Sequence, residues 1–428
     1  MGEAMSRRRF VRVAAAGAAG VSASLAGLMM LSCSRREITS ASPVTGRAEF
    51  EGFETLSDWT CDSGEISADT TNVLHGKAGL CVTSTGGVAA SATKAVSLSG
   101  PHNPFRLWFY VSEDPSTVSS IRAYFSPVAD FSAGFGCTFG GGRAGMATVA
   151  QGWNCRSIAD GVDWSHVGGS WSDAQHYMKV VVETVPGQTA HVTFDSLWRN
   201  VTDTPQILIV FDDGRSTEYT NAFHYMRSKG LVGTMYVIPS LVGKPDFVTR
   251  DQLVEMQNEG WDIANHTYHH RPLTTLTRAQ QQAEFTDAQA WLESNGFTRA
   301  SRHVAYPLGL YNADTMQAMA AAGMVSGRTT APIETPLPPV NPYTIAGGGI
   351  GGGASLAYGK LRVDDAIHRR STVLLLFHGI LDHPTDRNDW STADFKALID
   401  YIAAQKVPVL RVSDLFPRPV TLATEQLT

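Results

Sequence analysis

Hydrophobic and polar positions change their rhythm once along this chain. Between about residues 47 and 202 they come as short alternating runs separated by turn residues, as in Phe105-Arg-Leu-Trp-Phe-Tyr-Val111, Met178-Lys-Val-Val-Val-Glu183 and Ala190-His-Val-Thr-Phe194. A period of two predicts strands with one buried face, and the lack of long helical periodicity predicts an antiparallel β-sandwich. From Thr204-Pro205 the texture becomes strand, helix, strand. Strands are predicted at 207–211, 233–238, 261–265, 303–306, 373–377 and 407–412. A first helix would carry Tyr219, Ala222, Phe223 and Met226 on one face and stop at Gly230. Thr249-x-x-Gln252 and Thr277-x-x-Gln280 have the spacing of capping boxes that open two more helices. This alternation predicts an α/β domain over about 203–418, a parallel sheet with right-handed crossovers that is either open or closed into a barrel. The Pro-rich stretch 332–342 and the Gly-rich stretch 347–353 read as one long loop over the barrel mouth, and 419–428 as a tail.

The first 33 residues read as an address. Ser6-Arg-Arg-Arg-Phe-Val-Arg12 has the twin-arginine export pattern, and a weakly hydrophobic Ala/Gly-rich segment runs from Val13 to Leu31. Met30-Leu-Ser-Cys33 is similar to a lipoprotein processing site, with Cys33 as the acylated residue and a lipid anchor as the membrane contact. As a helix the same segment would span about 30 Å, so an uncleaved anchor is the competing reading. Residues 34–46 form a Ser/Thr/Arg-rich tether. Cys61, Cys81, Cys137 and Cys155 show no C-x-x-C spacing. In an oxidising compartment they allow two disulfides, most simply between neighbours; four buried thiols are the alternative.

Composition narrows the classes. With 43% apolar and 17% charged residues the chain is globular, and 428 residues call for two domains. A net charge of −6 without a basic patch argues against nucleic acid. Of the nine tryptophans, Trp59, Trp108, Trp153, Trp164, Trp171 and Trp198 fall in the alternating half, where they serve either two ordinary cores or a sugar-binding face. Gly140-x-Gly-x-x-Gly145 lies in the β-rich half, and Gly347-x-Gly-x-x-Gly352 has no predicted helix behind it, so no nucleotide site is read.

Candidate chemistry gathers at strand ends. Ile207-Leu-Ile-Val-Phe-Asp-Asp-Gly214 is a buried-strand run that delivers Asp212 and Asp213 to a turn. Adjacent carboxylates there raise each other's pKa unless a cation intervenes; two solvated loop aspartates are the plainer alternative. His266-Thr-Tyr-His-His270 follows the run Trp261–Asn265 and sets two imidazoles four residues apart. One carboxylate with two imidazoles suits zinc and leaves a position for water or substrate. His303, beside a strand, reads as a structural histidine. Thr267 stands where an H-E-x-x-H protease needs its Glu, and no G-x-S-x-G elbow occurs.

Four segments in order resemble the motifs of the polysaccharide deacetylase (NodB-homology) family over about residues 205–415. They are Phe211-Asp-Asp-Gly214, His266-Thr-Tyr-His-His270, Tyr306-Pro-Leu-Gly309 with Tyr311-Asn312, and Leu376-Phe-His378 with Gly379. Ala305 stands where many members carry an Arg that braces the catalytic Asp, and the A-Y-P-x-G form is similar to the poly-N-acetylglucosamine deacetylase branch. The resemblance implies a distorted (β/α) barrel, with Asp213, His266 and His270 holding a divalent metal, zinc above all. Asp212 would be general base, His378 general acid, and the Leu308 backbone N–H an oxyanion donor. By the same motif His270, not His269, is the second imidazole ligand. Arg328 is the candidate to replace the missing brace, a surface arginine being the alternative. For the family's Asp-Trp motif, which supports the general acid, no equivalent is assigned. The implied activity is metal-dependent removal of N-acetyl groups from a cell-envelope or extracellular polysaccharide. An esterase or amidase would use the same centre, and a non-catalytic barrel would only bind glycan. Peptidoglycan, chitin-like oligomers, poly-N-acetylglucosamine and acetylated xylan are all open as substrate.

The address generates its own test. Replacing Arg7 and Arg8 with Lys should leave precursor in the cytoplasm, and Cys33→Ala should release the protein from the membrane on fractionation. A Cys33→Ala protein that stays membrane-bound would favour the uncleaved anchor.

Overall fold

The computed structural model describes residues 48–98, 104–140, 149–159, 162–168 and 173–416; the address segment with Cys33, the tether, Trp171 and the tail lie outside them. The alternating half builds two antiparallel six-stranded sheets. The first runs Glu65–Asp69, Gly79–Thr85, Thr189–Arg199, Phe105–Val111, Gly152–Ile158, with Ala48–Glu51 also paired to Thr189–Arg199. The second runs Ser165–Val167, Gly134–Phe139, Val118–Ser126, Gln175–Thr184, Ala90–Leu98, Thr60–Ser63. Alternation decides what turns inward: Phe105, Leu107, Phe109 and Val111 share one core with Ile121, Ala123, Val180 and Val182 of the other sheet. Trp59 stacks on Phe53 in that core at 5.3 Å, and Trp164 packs against it. Trp108, Trp153 and Trp198 alternate with core residues, so they occupy the opposite face of the first sheet.

The cysteines correct one expectation. Cys61, Cys81 and Cys137 are free thiols and Cys155 is buried, so neither nearest-neighbour bridge forms. The reason is positional. Cys81 and Cys155 are on the outer face of the first sheet, while Cys61 and Cys137 belong to the second. Facing sheets lie about 10 Å apart, beyond disulfide reach for side chains turned away from the core.

The second half supplies eight parallel strands, β1 Gln206–Phe211, β2 Thr234–Val237, β3 Asp262–Asn265, β4 Ala300–Ala305, β5 Ser326–Arg328, β6 Gly348–Gly349, β7 Thr372–Phe377 and β8 Val409–Leu410. Their order is β5-β4-β3-β2-β1-β7-β6. Strand β8 pairs with Ile207–Leu208, along the half of the β1 edge that β2 leaves open. A parallel bridge from Arg328 to Ile345, with Thr329 N–H donating to Ile345 O at 2.8 Å, ties β5 to the segment entering β6. The sheet thereby curls into a distorted parallel barrel. Both faces of β1 are buried, Ile207, Ile209 and Phe211 under the helices and Leu208 and Val210 inside the barrel, which is why its sequence is an unbroken apolar run.

The helices are α1 His224–Ser228, entered through a π-helical turn Glu218–Phe223, α2 Arg250–Asn258, α3 Arg278–Ser294, α4 Ala313–Ala321, α5 Leu356–His368 and α6 Thr392–Gln405. Both expected capping boxes are present and reciprocal, at Thr249/Gln252 and Thr277/Gln280; such caps contribute about 1 kcal/mol each.

Two expectations fail in the glycine tract. Part of 347–353 is strand β6 and not loop, since Gly348 and Gly349 pair in parallel with Leu375 and Leu376 of β7. Helix α5 does begin shortly after Gly352. The turn is nonetheless filled, since a Cβ on Gly351 would sit 2.6 Å from Arg387 O, where a bound phosphate would need open space. The Pro-rich stretch 332–342 runs between barrel and sandwich, held by the Thr335–Thr372 bridge.

Sandwich and barrel are joined by ion pairs: Arg106 donates to Asp203 and, at 3.1 Å, to Arg370 O, and Arg369 binds Asp163 at 2.9 Å. The thiol arrangement is directly testable. A thiol reagent on native protein, mapped by mass spectrometry, should modify Cys61 and spare Cys81, Cys137 and Cys155 until denaturant is added. Cys61 protected in native protein and released by a reductant would mean that it is bridged after all.

Candidate metal centre

Parallel register sets the site. Phe211 pairs with Phe377 at the ends of β1 and β7, so Asp212 and His378 leave the sheet side by side, and Asp212 N–H donates to Phe377 O at 3.0 Å. On the other side Val237 pairs with Asn265 and Asn265 with Val304, which brings His266 next to Ala305. Strand C-terminal ends therefore converge their following residues on one mouth.

Three ligand atoms meet there. Those of Asp213, His266 and His270 all lie within 4.8 Å of one another. Nε2 of each imidazole is 3.6 Å from Asp213 Oδ1, and the two rings are 4.7 Å apart at their centroids. The far side of His266 fixes its tautomer: Nδ1 is 2.9 Å from Ala305 O, and a carbonyl only accepts, so Nδ1 carries the proton and Nε2 presents its lone pair. The His266–His270 loop is pinned by buried Asn265, whose Nδ2 donates to Phe285 O at 3.0 Å and whose Oδ1 accepts from Thr267 N–H at 2.8 Å. Thr267 Oγ1 in turn accepts from His270 N–H at 3.1 Å.

The backbone around the mouth is left-handed at Asp213 (φ 75°), Thr267 (φ 62°), His270 (φ 58°) and Leu308 (φ 60°), none of them glycine. Each such residue costs about 1–3 kcal/mol, and such strain clusters at functional sites. In the Tyr306–Leu310 turn, Gly309 N–H donates to Tyr306 O and Leu310 N–H to Pro307 O, at 2.9 and 3.2 Å. The Leu308 side chain is exposed.

Asp212 has a partner of its own. Arg328, 1% exposed at the end of β5, donates through Nη2 to both carboxylate oxygens at 2.6 and 2.5 Å and lies over the Tyr236 ring at 5.3 Å. It is no surface arginine; it stands where the brace was expected. Burial alone would push the Asp212 carboxyl up, but the charges of Arg328, then His266 and His378, hold it below its usual range. Burial would raise Asp213 too, but His266, then His270 and His378, outweigh it and hold the carboxyl low. His270 is pulled down to about 4 by burial and by His266, which leaves its nitrogen unprotonated at neutral pH. Burial also pulls His266 down, but the two carboxylates outweigh it and raise that imidazole. The centre thus draws positive charge into a ring of oxygen and nitrogen donors, and the group is consistent with a divalent metal site.

Other candidates are placed as plainly. His378 is partly exposed beside Asp212 and contributes to the field at both aspartates. His269 turns away, its Nδ1 3.1 Å from buried Glu284. His303 is 5% exposed and bonds Ser326 Oγ at 2.8 Å, a structural contact.

Two residues escaped the sequence reading. Glu218 is fully buried at the π-turn, accepts from Arg215 N–H at 2.8 Å, and is raised well above the usual carboxylate range by burial and then by Asp213. Asp389-Trp390 folds back onto the fourth motif. A Cβ on Gly379 would meet Asp389 Oδ1 at 2.4 Å, and Trp390 N–H donates to Gly379 O at 2.8 Å. The Asp-Trp dipeptide was visible in the sequence, but nothing local indicates that its loop returns to the residue after His378.

Fold and site together define a parallel barrel whose strand ends carry an Asp-His-His centre of divalent-metal type. Residues 199–327 match the family model "Polysaccharide deacetylase", and the segment that bears this centre belongs to that family. Over 126 residues, 29% of this chain, it is 35% identical to YxkH of Bacillus subtilis strain 168, itself named only provisionally as a polysaccharide deacetylase, covering 45% of that protein. Over 135 residues, 28% of this chain, it is 27% identical to the poly-beta-1,6-N-acetyl-D-glucosamine N-deacetylase of Staphylococcus aureus strain MSSA476, covering 46% of it. The chain thus spans less than half the length of these relatives. Among solved structures, a family 4 carbohydrate esterase from Streptomyces lividans in complex with acetate aligns over 47% of this chain and 86% of its own, at 20% identity and a TM-score of 0.32.

The Arg328–Asp212 pair predicts an acid-side effect on stability. Asp212 is depressed from 3.8, so its contribution is full above that value and is lost as pH falls through the folded-state value. Arg328→Met should cost about 3–5 kcal/mol, as broken buried pairs do. It should also move the acid-unfolding midpoint to higher pH, both read by circular dichroism melts. A variant with the wild-type melting temperature and acid midpoint would show that the pair does not hold Asp212 ionised.

Proposed function

We propose that this protein is an exported, metal-dependent hydrolase that removes N-acetyl groups from a cell-envelope or extracellular polysaccharide. The observation that carries the reading is the meeting of Asp213, His266 and His270 around one point, with an arginine-braced Asp212 and His378 at adjacent strand ends beside it. The donor set fits a divalent ion, zinc in our reading, held by those three residues. Such an ion supplies Lewis-acid polarisation of the acyl oxygen and acidifies water.

The protein's own groups perform the rest. Asp212 is kept ionised by Arg328 and takes the proton of the attacking water as the new C–O bond forms. The Leu308 N–H, at the left-handed turn of the mouth, donates to the developing oxyanion. His378 gives a proton to the amine nitrogen as the C–N bond breaks, so acetate and a free amine leave. Arg328 acts through Asp212, which it positions.

The twin-arginine and Cys33 motifs support action outside the cytoplasm on a membrane-anchored chain. We assign residues 47–202 to an accessory β-sandwich and 203–418 to the catalytic barrel. Identity to a poly-N-acetylglucosamine deacetylase favours a polymer of N-acetylhexosamine among the open substrates.

Acetate release from N-acetylglucosamine polymers, peptidoglycan and acetylated xylan, with and without a chelator, tests the activity. His266→Ala and His270→Ala should lose the metal by elemental analysis; full occupancy in either overturns the ligand assignment. Asp212→Asn should keep the metal and lose about 10²–10⁴-fold in turnover. If Asp212→Asn empties the site instead, the two aspartates have exchanged roles.

A further inference from the structure

A pocket of about 140 Å³ lies between the edge strand Gly152–Ile158 of the sandwich and the barrel loops after β4 and β5. Its walls share chain neighbours with the candidate centre. Gly309 follows Leu308, and Thr329 follows the Arg328 that braces Asp212. The two loops are in contact, since a Cβ on Gly309 would overlap Thr330 Oγ1 at 2.2 Å. The opposite wall belongs to the sandwich, through Trp153 and Arg156, while Tyr311, Thr330 and Asn341 line the pocket from the barrel side.

The lining selects a chemistry. Trp153 is partly exposed and in a T-shaped contact with Tyr110 at 5.4 Å, which holds its ring in place in the wall. Arg156 Nε is buried without a hydrogen-bond partner and is an unused donor. Glu334 is the acid in this wall, and Arg369 at 2.8 Å and Arg362 at 3.4 Å already neutralise it. Aromatic side chains, hydroxyl and amide groups and a spare guanidinium donor, with the acid compensated, suit a polyhydroxylated ring better than a lipid.

We propose that this pocket is a second sugar subsite, which grips a β-linked N-acetylhexosamine unit of the same polymer whose acetylated residue occupies the metal centre. The inference rests on the deacetylase reading for the identity of the sugar. It makes the sandwich part of polymer recognition and makes affinity depend on chain length, because the two subsites are lined by different residues.

Calorimetric titration of full-length, metal-loaded Asp212→Asn protein with β-1,4- and β-1,6-linked N-acetylglucosamine oligomers of one to six units tests this. Affinity should rise with length. In the same background Trp153→Ala should weaken hexamer binding about tenfold, roughly 1.4 kcal/mol, and Trp153→Phe should recover most of it. Ala331→Trp, which fills the pocket without removing a stacking face, should weaken binding to a similar extent. In the active protein the loss should fall on KM for the hexamer and not on kcat. Acetate release with hexamer affinity and KM indifferent to both Trp153→Ala and Ala331→Trp would overturn the subsite and leave the deacetylase standing. Hexamer binding that depends on Trp153, in a protein that releases no acetate from any polymer, would keep the subsite and remove the deacetylase reading.

Discussion

Two adjacent carboxylates at the end of a buried strand need positive charge, and the barrel is built around how that charge is divided. Arg328 reaches Asp212 from β5 across the interior, and the imidazoles of His266 and His270 face Asp213. One guanidinium for one carboxylate leaves the second in excess. An uncompensated buried charge is costly enough that either a proton or a cation must enter. The raised pKa of His266 is the proton answer. A divalent ion is the other, and the unprotonated nitrogen of His270 is ready for it. The same arginine serves the fold, because β5 is joined to the segment before β6 by the backbone bridge at Arg328 itself. Closure of the barrel and orientation of Asp212 therefore rest on one residue, and Gly327 beside it must be glycine, since a Cβ there would overlap Tyr306 Oη at 1.9 Å.

The strained backbone has a matching explanation. A metal centre needs side chains that converge within a few ångströms, while parallel strands deliver their ends about 4.8 Å apart. Left-handed turns at Asp213, Thr267, His270 and Leu308 make up the difference by folding each loop sharply over the mouth. What holds these turns is hydrogen bonding from buried polar groups, chiefly Asn265 beneath the histidine loop and Glu218 beneath the aspartate loop. Burial and the neighbouring Asp213 charge raise the Glu218 carboxyl, because a third carboxylate charge there would work against the balance just described.

Much of this was legible in the sequence because it is local. A period of two gave the sandwich strands, unbroken apolar runs gave β1 and β7, and Thr-x-x-Gln gave two helix starts that the structure reproduces. The convergence of Asp213, His266 and His270 was legible through motif order, which stands in for strand order in a parallel barrel. What escaped was non-local. Strand β6 is two glycines, which carry no side-chain pattern that a strand could be read from. The return of Asp389 to Gly379 and the burial of Glu218 depend on loops whose paths no short pattern encodes. The cysteines misled for a related reason: spacing along the chain says nothing about which sheet, or which face, each will occupy.

The sandwich raises the remaining question of what a second module adds to chemistry that barrel residues suffice to perform. Six tryptophans could have filled two cores, but among the described residues Trp59 and Trp164 serve the core while Trp108, Trp153 and Trp198 occupy the opposite face of the first sheet. Arg106 on that same face binds Asp203 and Arg370 O, so the aromatic face is fastened to the barrel and not free in solution. A spacer would need only a covalent link. Ion pairs at Arg106 and Arg369, and a pocket whose two walls come from different halves of the chain, fix the orientation of the aromatic face relative to the mouth. Fixed geometry matters for a polymer, since a second grip adds affinity only when its distance from the first matches the repeat of the chain being held. If the proposed subsite holds, the rigid joint is itself the functional feature, because it keeps the aromatic face from drifting relative to the mouth.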